Sequence, residues 1–188
     1  MQDRDDWEVV ALAQAGESTA FTELVQRYQR PILHYCLRMA GSRDDAEELT
    51  QETFIRLHRH LGRLEPRAKF STVLFGIARN LCLNFVRDRE RRRLGRVASL
   101  DDVQPPTPLA QRPDSQARAG EIGQYIEAAL GTLSSAHQEI LVLRENHGMD
   151  YDSLAQVLGC RKGTVRSRLA RARSELRQAL IDMGGELL

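Results

Sequence analysis

The sequence predicts an all-α protein of two small helical domains joined by a flexible linker. Three observations carry this reading: apolar residues recur at steps of three and four from residue 7 to about 94 and again from about 120 onward; the stretch between them has four prolines and no sustained period; and Gly148–Arg177 reads as two helices bent about a glycine-centred turn. The boundaries are 1–94 for the first domain, 95–119 for the linker and 120–188 for the second.

The first domain opens with periodic segments broken near Gly16 and Pro31. Trp7, Val10, Ala11 and Ala13 come first, then Ala20, Phe21, Leu24, Val25 and Tyr28, then Ile32, Tyr35, Leu37 and Met39, which predicts three helical pieces with Ser18 or Thr19 capping the second. After Gly41-Ser42-Arg43, residues 44–61 form a helix with Ala46, Leu49, Thr53, Leu57 and Leu61 inward. Positions 44 to 52 hold five acidic residues and no basic one. Asp44 and Asp45 suit the positive end of the helix dipole. Asp45, Glu48 and Glu52 lie along one flank beside Gln51, where like charges cost the helix a few tenths of a kcal/mol. Spacing leaves two readings open: a solvated acidic turn, or a surface that meets a basic partner.

Residues 68–93 predict an apolar helix that runs into a basic tail, with Ser71 as its cap. Phe70, Val73, Leu74, Ile77, Leu81 and Phe85 form the inward side, so Asn80, Asn84, Arg87, Asp88 and Arg91 turn outward. Amides and guanidinium groups read bases and phosphates. The loop upstream carries Arg63, Arg67 and Lys69 and is suited to hold an unstacked base. Phe70, Phe75 and Phe85 fit either that role or the core.

In the second domain an Ile122, Ile126, Leu130 helix precedes a capping box at Ser135–Gln138 and the run Ile140, Leu141, Leu143. Asp150 caps the next helix and Gly159 closes it. The following helix places Val165, Leu169, Ala172, Leu176 and Leu180 on one face, with Lys162, Arg166, Arg171 and Arg173 outside it. Positions 161 to 177 hold seven Lys or Arg against the single Glu175. A charge run alone fits a solvated surface helix. The short turn favours a helix-turn-helix whose basic second helix enters a DNA major groove.

Bulk properties exclude several classes. A net charge of +1 does not itself predict a nucleic-acid partner, so the uneven distribution is what matters. Cys36, Cys82 and Cys160 have neither CxxC nor metal-ligand spacing, which predicts reduced thiols, no metal and no cofactor. The acidic N-terminus and the lack of a long apolar run predict a cytoplasmic protein without direct membrane insertion.

Taken together, DAEELTQETFIRLHRHL, KFSTVLFGIARNLCLNFVRDRERRR and HQEILVLRENHGMDYDSLAQVLGCRKGTVRSRLARAR resemble the sigma-70 superfamily, specifically the extracytoplasmic-function (ECF, group 4) sigma factors. They are similar, in order, to region 2.2, regions 2.3 and 2.4, and region 4. The resemblance implies sigma domain 2 at 1–94 and sigma domain 4 at 120–188, a non-enzymatic specificity subunit, and three partners: core RNA polymerase through its beta-prime clamp helices and beta flap, promoter DNA, and an anti-sigma factor. It implies docking on polymerase by Asp45, Glu48, Gln51 and Glu52. Capture of the −10 element falls to Lys69, Phe70, Asn80, Asn84 and Arg87, and reading of the −35 element to Arg166, Ser167 and Arg171 with Lys162 and Thr164 near phosphates. The chain departs from the family at Val73, where many members have Trp, and at Arg161, where many have Pro. Two other classes share the helix-turn-helix: a free-standing regulator and a DNA-processing enzyme. The first leaves the acidic helix without a purpose, and the second needs carboxylates paired in a metal-like pattern, or a Ser or Tyr nucleophile beside an arginine cluster, which residues 1–94 do not offer.

Overall fold

The computed structural model describes residues 4–97 and 117–184, with side-chain surroundings given for 4–92 and 123–184. The described helices fall in two compact units: the first holds α1–α4, and the second holds α5, α6, α8 and Tyr151–Ala155 of α7.

In the first unit, α1 (Asp6–Gln14) begins with a reciprocal capping box. Asp5 accepts from Trp7 N at 3.1 Å and the Glu8 carboxylate accepts from Asp5 N at 3.3 Å. Gly16, at φ +95°, lets the chain reverse into α2 (Ser18–Ala40). This helix runs unbroken through Pro31, so the expected three pieces are two. Proline removes one backbone donor, but Ile32, Tyr35 and Cys36 continue the inward face begun by Ala20 and Leu24, and their burial outweighs that loss. The cap also differs from expectation. Glu17 occupies the N-cap without its side chain capping a backbone N–H, Ser18 is already helical, and Thr19 Oγ1 donates to the Glu17 carboxylate at 3.0 Å.

Gly41, left-handed at φ +76°, ends α2 with its N–H on Leu37 O, and Ser42 caps α3 (Arg43–His60) through Asp45 N at 3.5 Å. Ala46, Leu49, Thr53 and Leu57 face inward as expected, as does Leu61 in the 3-10 turn that follows (Leu61–Arg63). Helix α4 (Phe70–Val97) starts from Lys69, whose carbonyl accepts from Thr72 and Val73; Ser71 lies inside the helix and is not its cap. The core where α2, α3 and α4 meet contains Leu24, Ile32, Tyr35, Leu57, Leu74 and Phe75, and the Tyr35 and Phe75 rings meet edge to face at 5.6 Å.

In the second unit, α5 (Ala117–Thr132) leads to α6 (Ser135–Leu141). The cap of α6 is Ser134, one residue before the expected box, and Gln138 Nε2 instead donates to Leu133 O at 2.9 Å. A π-helical turn, Val142–Asn146, extends α6, and Gly148 at φ +63° turns the chain toward α7 (Tyr151–Leu158). Asp150 caps α7, accepting from Ser153 N at 2.7 Å. At its other end Gly159 N bonds to Gln156 O and Cys160 N to Ala155 O, the two bonds of a Schellman motif, with Gly159 at φ +63° as required. Then α8 (Lys162–Asp182) buries Val165, Leu169 and Ala172 in a core that includes Ala129, Ile140, Leu143 and Leu154. Tyr125 Oη, donating to Leu180 O at 2.9 Å, ties α5 to the far end of α8.

The expected linker, 95–119, overlaps α4 up to Val97 and α5 from Ala117; residues 98–116 lie outside the described residues.

Candidate nucleic-acid surfaces and an acidic docking flank

The helix-turn-helix is α7, a turn of three residues and α8. Its geometry follows from the Schellman closure at Gly159 and from Arg161, whose extended backbone (φ −71°, ψ 148°) starts α8 without a side-chain cap. That φ is one proline also adopts, so arginine here keeps the same entry angle and adds an exposed cation. The first N–H groups of α8 are free of a capping side chain and form an anion-ready end beside Arg161 and Lys162. Thr164, Arg166, Ser167 and Arg171 are exposed on the side opposite Val165, Leu169 and Ala172. Ser167 Oγ donates to Thr164 O at 3.1 Å, while Lys162 Nζ reaches Asp152 on α7 at 2.8 Å. Arg173, outside the apolar face as expected, is engaged within its own unit: it grips Glu145 with two nitrogens at 3.1 and 2.6 Å, a pairing that raises its guanidinium pKa.

The approach to α7 is held by Arg144, which sequence reasoning did not single out. Its Nη1 donates to Met149 O at 2.6 Å and its guanidinium stacks over Tyr151, 5.5 Å from the ring centre.

On α4, Asn80, Asn84 and Arg87 are exposed at i, i+4 and i+7 and form one stripe of amide and guanidinium groups. Lys69 is exposed just before the helix. Phe70 is a correction. Only 1% of it is exposed, and its ring packs edge to face on Trp7 at 6.0 Å and Tyr28 at 5.3 Å, so it is a core residue and cannot stack on a base. At the first helical position, flanked by α1 and α2, its ring surface is already taken up by those two aromatic neighbours. Phe75 is likewise buried, and Val73 and Phe85 are half-buried.

The loop before α4 is braced from α1. Trp7 Nε1 donates to Ala68 O at 2.9 Å, and Gln14 Nε2 donates to Leu61 O at 2.9 Å and Leu64 O at 3.0 Å. These bonds leave Arg63 and Arg67 outward, Arg67 paired with Glu65 at 2.6 Å. Neither Trp7 nor Gln14 carries a sequence signal for this role, because a side chain reaching a carbonyl about fifty residues away leaves no periodic trace.

The acidic flank of α3 is present but unevenly free. Glu48 and Gln51 are exposed and make no ion pair or side-chain hydrogen bond among the described residues, and Asp45 is half-buried in the first turn. Glu52 is engaged by Arg56 at 2.8 Å, an i,i+4 pair that offsets the like-charge cost of the row. Ile55, 44% exposed, continues the stripe of Glu48 and Gln51 one turn further. Among the described residues no cluster of His, Cys, Asp or Glu is arranged to hold a metal ion, and no helix is long and apolar enough to cross a membrane.

The two units match two modules of one superfamily: the sigma-70 region 2 model covers residues 24–92, and the sigma-70 region 4 model covers 123–176. Relatives that match across both units narrow the class. The RNA polymerase sigma-H factor of Pseudomonas aeruginosa is 31% identical over 93% of this chain and 93% of its own. The ECF RNA polymerase sigma factor SigE of Mycolicibacterium smegmatis is 34% identical over 89% of this chain, which spans 64% of that relative's length. The sigma factor RpoE of Bartonella quintana, solved with the anti-sigma factor NepR, aligns with a TM-score of 0.68 at 25% identity over 85% of this chain and 96% of its own. CnrH, solved with the cytosolic domain of CnrY, has the same fold, with a TM-score of 0.69 at 24% identity over 95% of this chain and 97% of its own. The chain belongs to the ECF RNA polymerase sigma factors, which are transcription initiation factors and not enzymes.

Proposed function

We propose that this chain is a removable promoter-specificity subunit in the cytoplasm that docks on core RNA polymerase through α3, captures the −10 element with α4 and reads the −35 element with α8. The observation that carries the reading is the pairing of two separate outward polar faces, Asn80–Asn84–Arg87 and Arg166–Ser167–Arg171, with sigma region 2 and region 4 matches in the same order. Binding energy performs the work. A bidentate arginine-to-guanine contact contributes about 1–3 kcal/mol of discrimination. Unstacking a base costs a few kcal/mol, offset by capture against the amide stripe and Lys69.

The docking role falls mainly on Glu48 and Gln51, with Asp45 and Glu52 flanking them, because these two are exposed and unengaged among the described residues. Lys162 and Thr164 lie at the start of α8, where phosphate contacts position the helix. The domain division at 1–94 and 120–188 lets each module meet its own element. An anti-sigma factor is the expected inhibitor, since the Bartonella relative is bound by one.

Run-off transcription with core polymerase on genomic DNA tests the reading. Promoter-specific starts are expected, and Arg166→Ala with Arg171→Ala should each lose about 1–3 kcal/mol of −35 discrimination while still co-eluting with polymerase. Unchanged promoter choice in both variants would remove α8 as the reading helix.

A further inference from the structure

Cys36 on α2 and Cys82 on α4, 46 residues apart in sequence, meet inside the first unit with their sulfurs 3.8 Å apart. Both residues are 0% exposed, and the two helices pack directly against each other. The Cys82 thiol donates to Cys36 Sγ. That bond, opposed by burial and aided by the Thr50 hydroxyl, holds the Cys36 thiol below its ordinary range. Two thiols facing each other across a helix pair differ from isolated core cysteines, which pack as small hydrophobes. The third cysteine, Cys160, lies at the turn between α7 and α8.

We propose that Cys36 and Cys82 form a redox-responsive dithiol, which a hydroperoxide converts into an intramolecular disulfide that staples α2 to α4. The Cys36 thiolate attacks one peroxide oxygen and the O–O bond breaks, leaving a sulfenic acid and releasing an alcohol or water. Cys82 sulfur then attacks Cys36 sulfur; the S–S bond forms, the S–O bond breaks, and the hydroxyl leaves as water with the Cys82 proton. The dithiol loses two electrons and the peroxide gains them. A resolving thiol already in contact intercepts the sulfenic acid before further oxygen is added.

Because neither sulfur is exposed, the rate is set by transient parting of α2 from α4, so oxidation reports the opening of this helix pair. Closing the bond takes the sulfurs to about 2.05 Å, which draws α4 toward α2. Cys82 lies between Asn80 and Asn84 on the opposite side of α4, so the shift falls on the segment that carries that stripe. Lowered promoter opening in the oxidised protein follows from this, and that consequence alone rests on the proposed function. Disulfides in reducing compartments are typically transient and sensing rather than structural.

The test uses the full chain carrying Cys160→Ser, so that only the pair remains. After hydrogen peroxide and iodoacetamide quenching, intact mass should show a monomer lighter by two hydrogen atoms and unalkylated, and peptide mapping should give a Cys36–Cys82 link that dithiothreitol reverses. The cross-linking rate should rise in sub-denaturing urea. Oxygen addition without a link, links only between chains, or thiols that stay alkylatable while free cysteine is consumed would overturn the proposal. Adding Cys36→Ala, or Cys82→Ala should that variant not fold, must abolish the link. Run-off transcription then compares oxidised with reduced protein. A severalfold loss that recovers on reduction is expected. A link with unchanged run-off overturns the regulatory role. Failure of the reduced protein to direct any promoter tells against the proposed function instead and leaves the dithiol chemistry standing.

Discussion

Lys162 Nζ lies 2.8 Å from Asp152 Oδ2 and thereby bridges the start of α8 to the first turn of α7. Both side chains are more than half exposed, so the pair does little for folding, but it engages a cation placed where a phosphate is expected. Replacing Asp152 by Asn frees Lys162 and removes a negative charge from the face proposed to meet DNA. We expect Asp152→Asn to tighten binding of −35 duplex up to about fivefold, the equivalent of about 1 kcal/mol, and to steepen its salt dependence. Fluorescence anisotropy across a salt series measures both; a weaker complex would show that Asp152 orders the turn rather than competing with DNA.

The two glutamates of the acidic flank differ in their partners. Glu48 has no ion-pair partner among the described residues, whereas Glu52 is held by Arg56. Reversing both charges, Glu48→Lys with Glu52→Lys, is expected to abolish co-elution with core polymerase, and Glu48→Lys alone should account for most of the loss. Co-elution that survives the double reversal would remove α3 as the docking helix.

Phe70 and Asn84 separate packing from recognition on one helix. Phe70→Ala leaves a hole between Trp7 and Tyr28 and should cost about 3–5 kcal/mol of stability, visible as a large drop in Tm. Asn84→Ala, on the exposed stripe, should leave Tm within about a degree or two, as surface changes do, while slowing promoter opening on permanganate footprints. An Asn84 variant that opens promoters normally would shift −10 capture to other residues.

Tyr28 gives the first unit an alkaline limit. Burial pushes its phenol far above the ordinary range, and its hydrogen bond to the Asp6 carboxylate adds to the shift. The neutral form is favoured in the folded state, so this stabilisation is complete below the unfolded pKa of about 10 and is lost as pH rises from there toward the folded value. Urea unfolding at stepped pH should show stability falling above about pH 10. Tyr28→Phe should lower stability at neutral pH by about 1 kcal/mol and flatten that alkaline decline; an equal slope in both proteins would assign the decline to other groups.

Much of this architecture is legible in the chain because helices are local objects. The inward face of α3, that of α8 from Val165 to Ala172, the Asp150 cap and the left-handed Gly159 are set by residues within a turn or two, and these appear where periodicity and capping chemistry place them, while Leu176 and Leu180 further along α8 are half-buried. The misplacements are also local in kind: Ser18, Ser71 and Ser135 each had the chemistry of a cap, but the chain enters each helix one or two residues away, where packing allows. Pro31 is different. Its penalty is visible in the sequence, whereas the burial of Ile32, Tyr35 and Cys36 that overrides it belongs to α2, α3 and α4 together.

The candidate surfaces divide along the same line. Asn80, Asn84, Arg166, Ser167 and Arg171 point outward because they fall between the inward positions, which themselves recur every three or four residues, and that much is decided by the 3.6-residue period alone. Whether an outward or ambiguous side chain is available is decided by residues distant along the chain. Trp7 and Tyr28 close over Phe70, Glu145 engages Arg173, Asp152 meets Lys162, and Cys36 meets Cys82, each through a contact that no local pattern encodes. Periodicity fixes direction around a helix axis, but occupancy of the space in that direction is a property of the packed helices, and it exists only once they have come together.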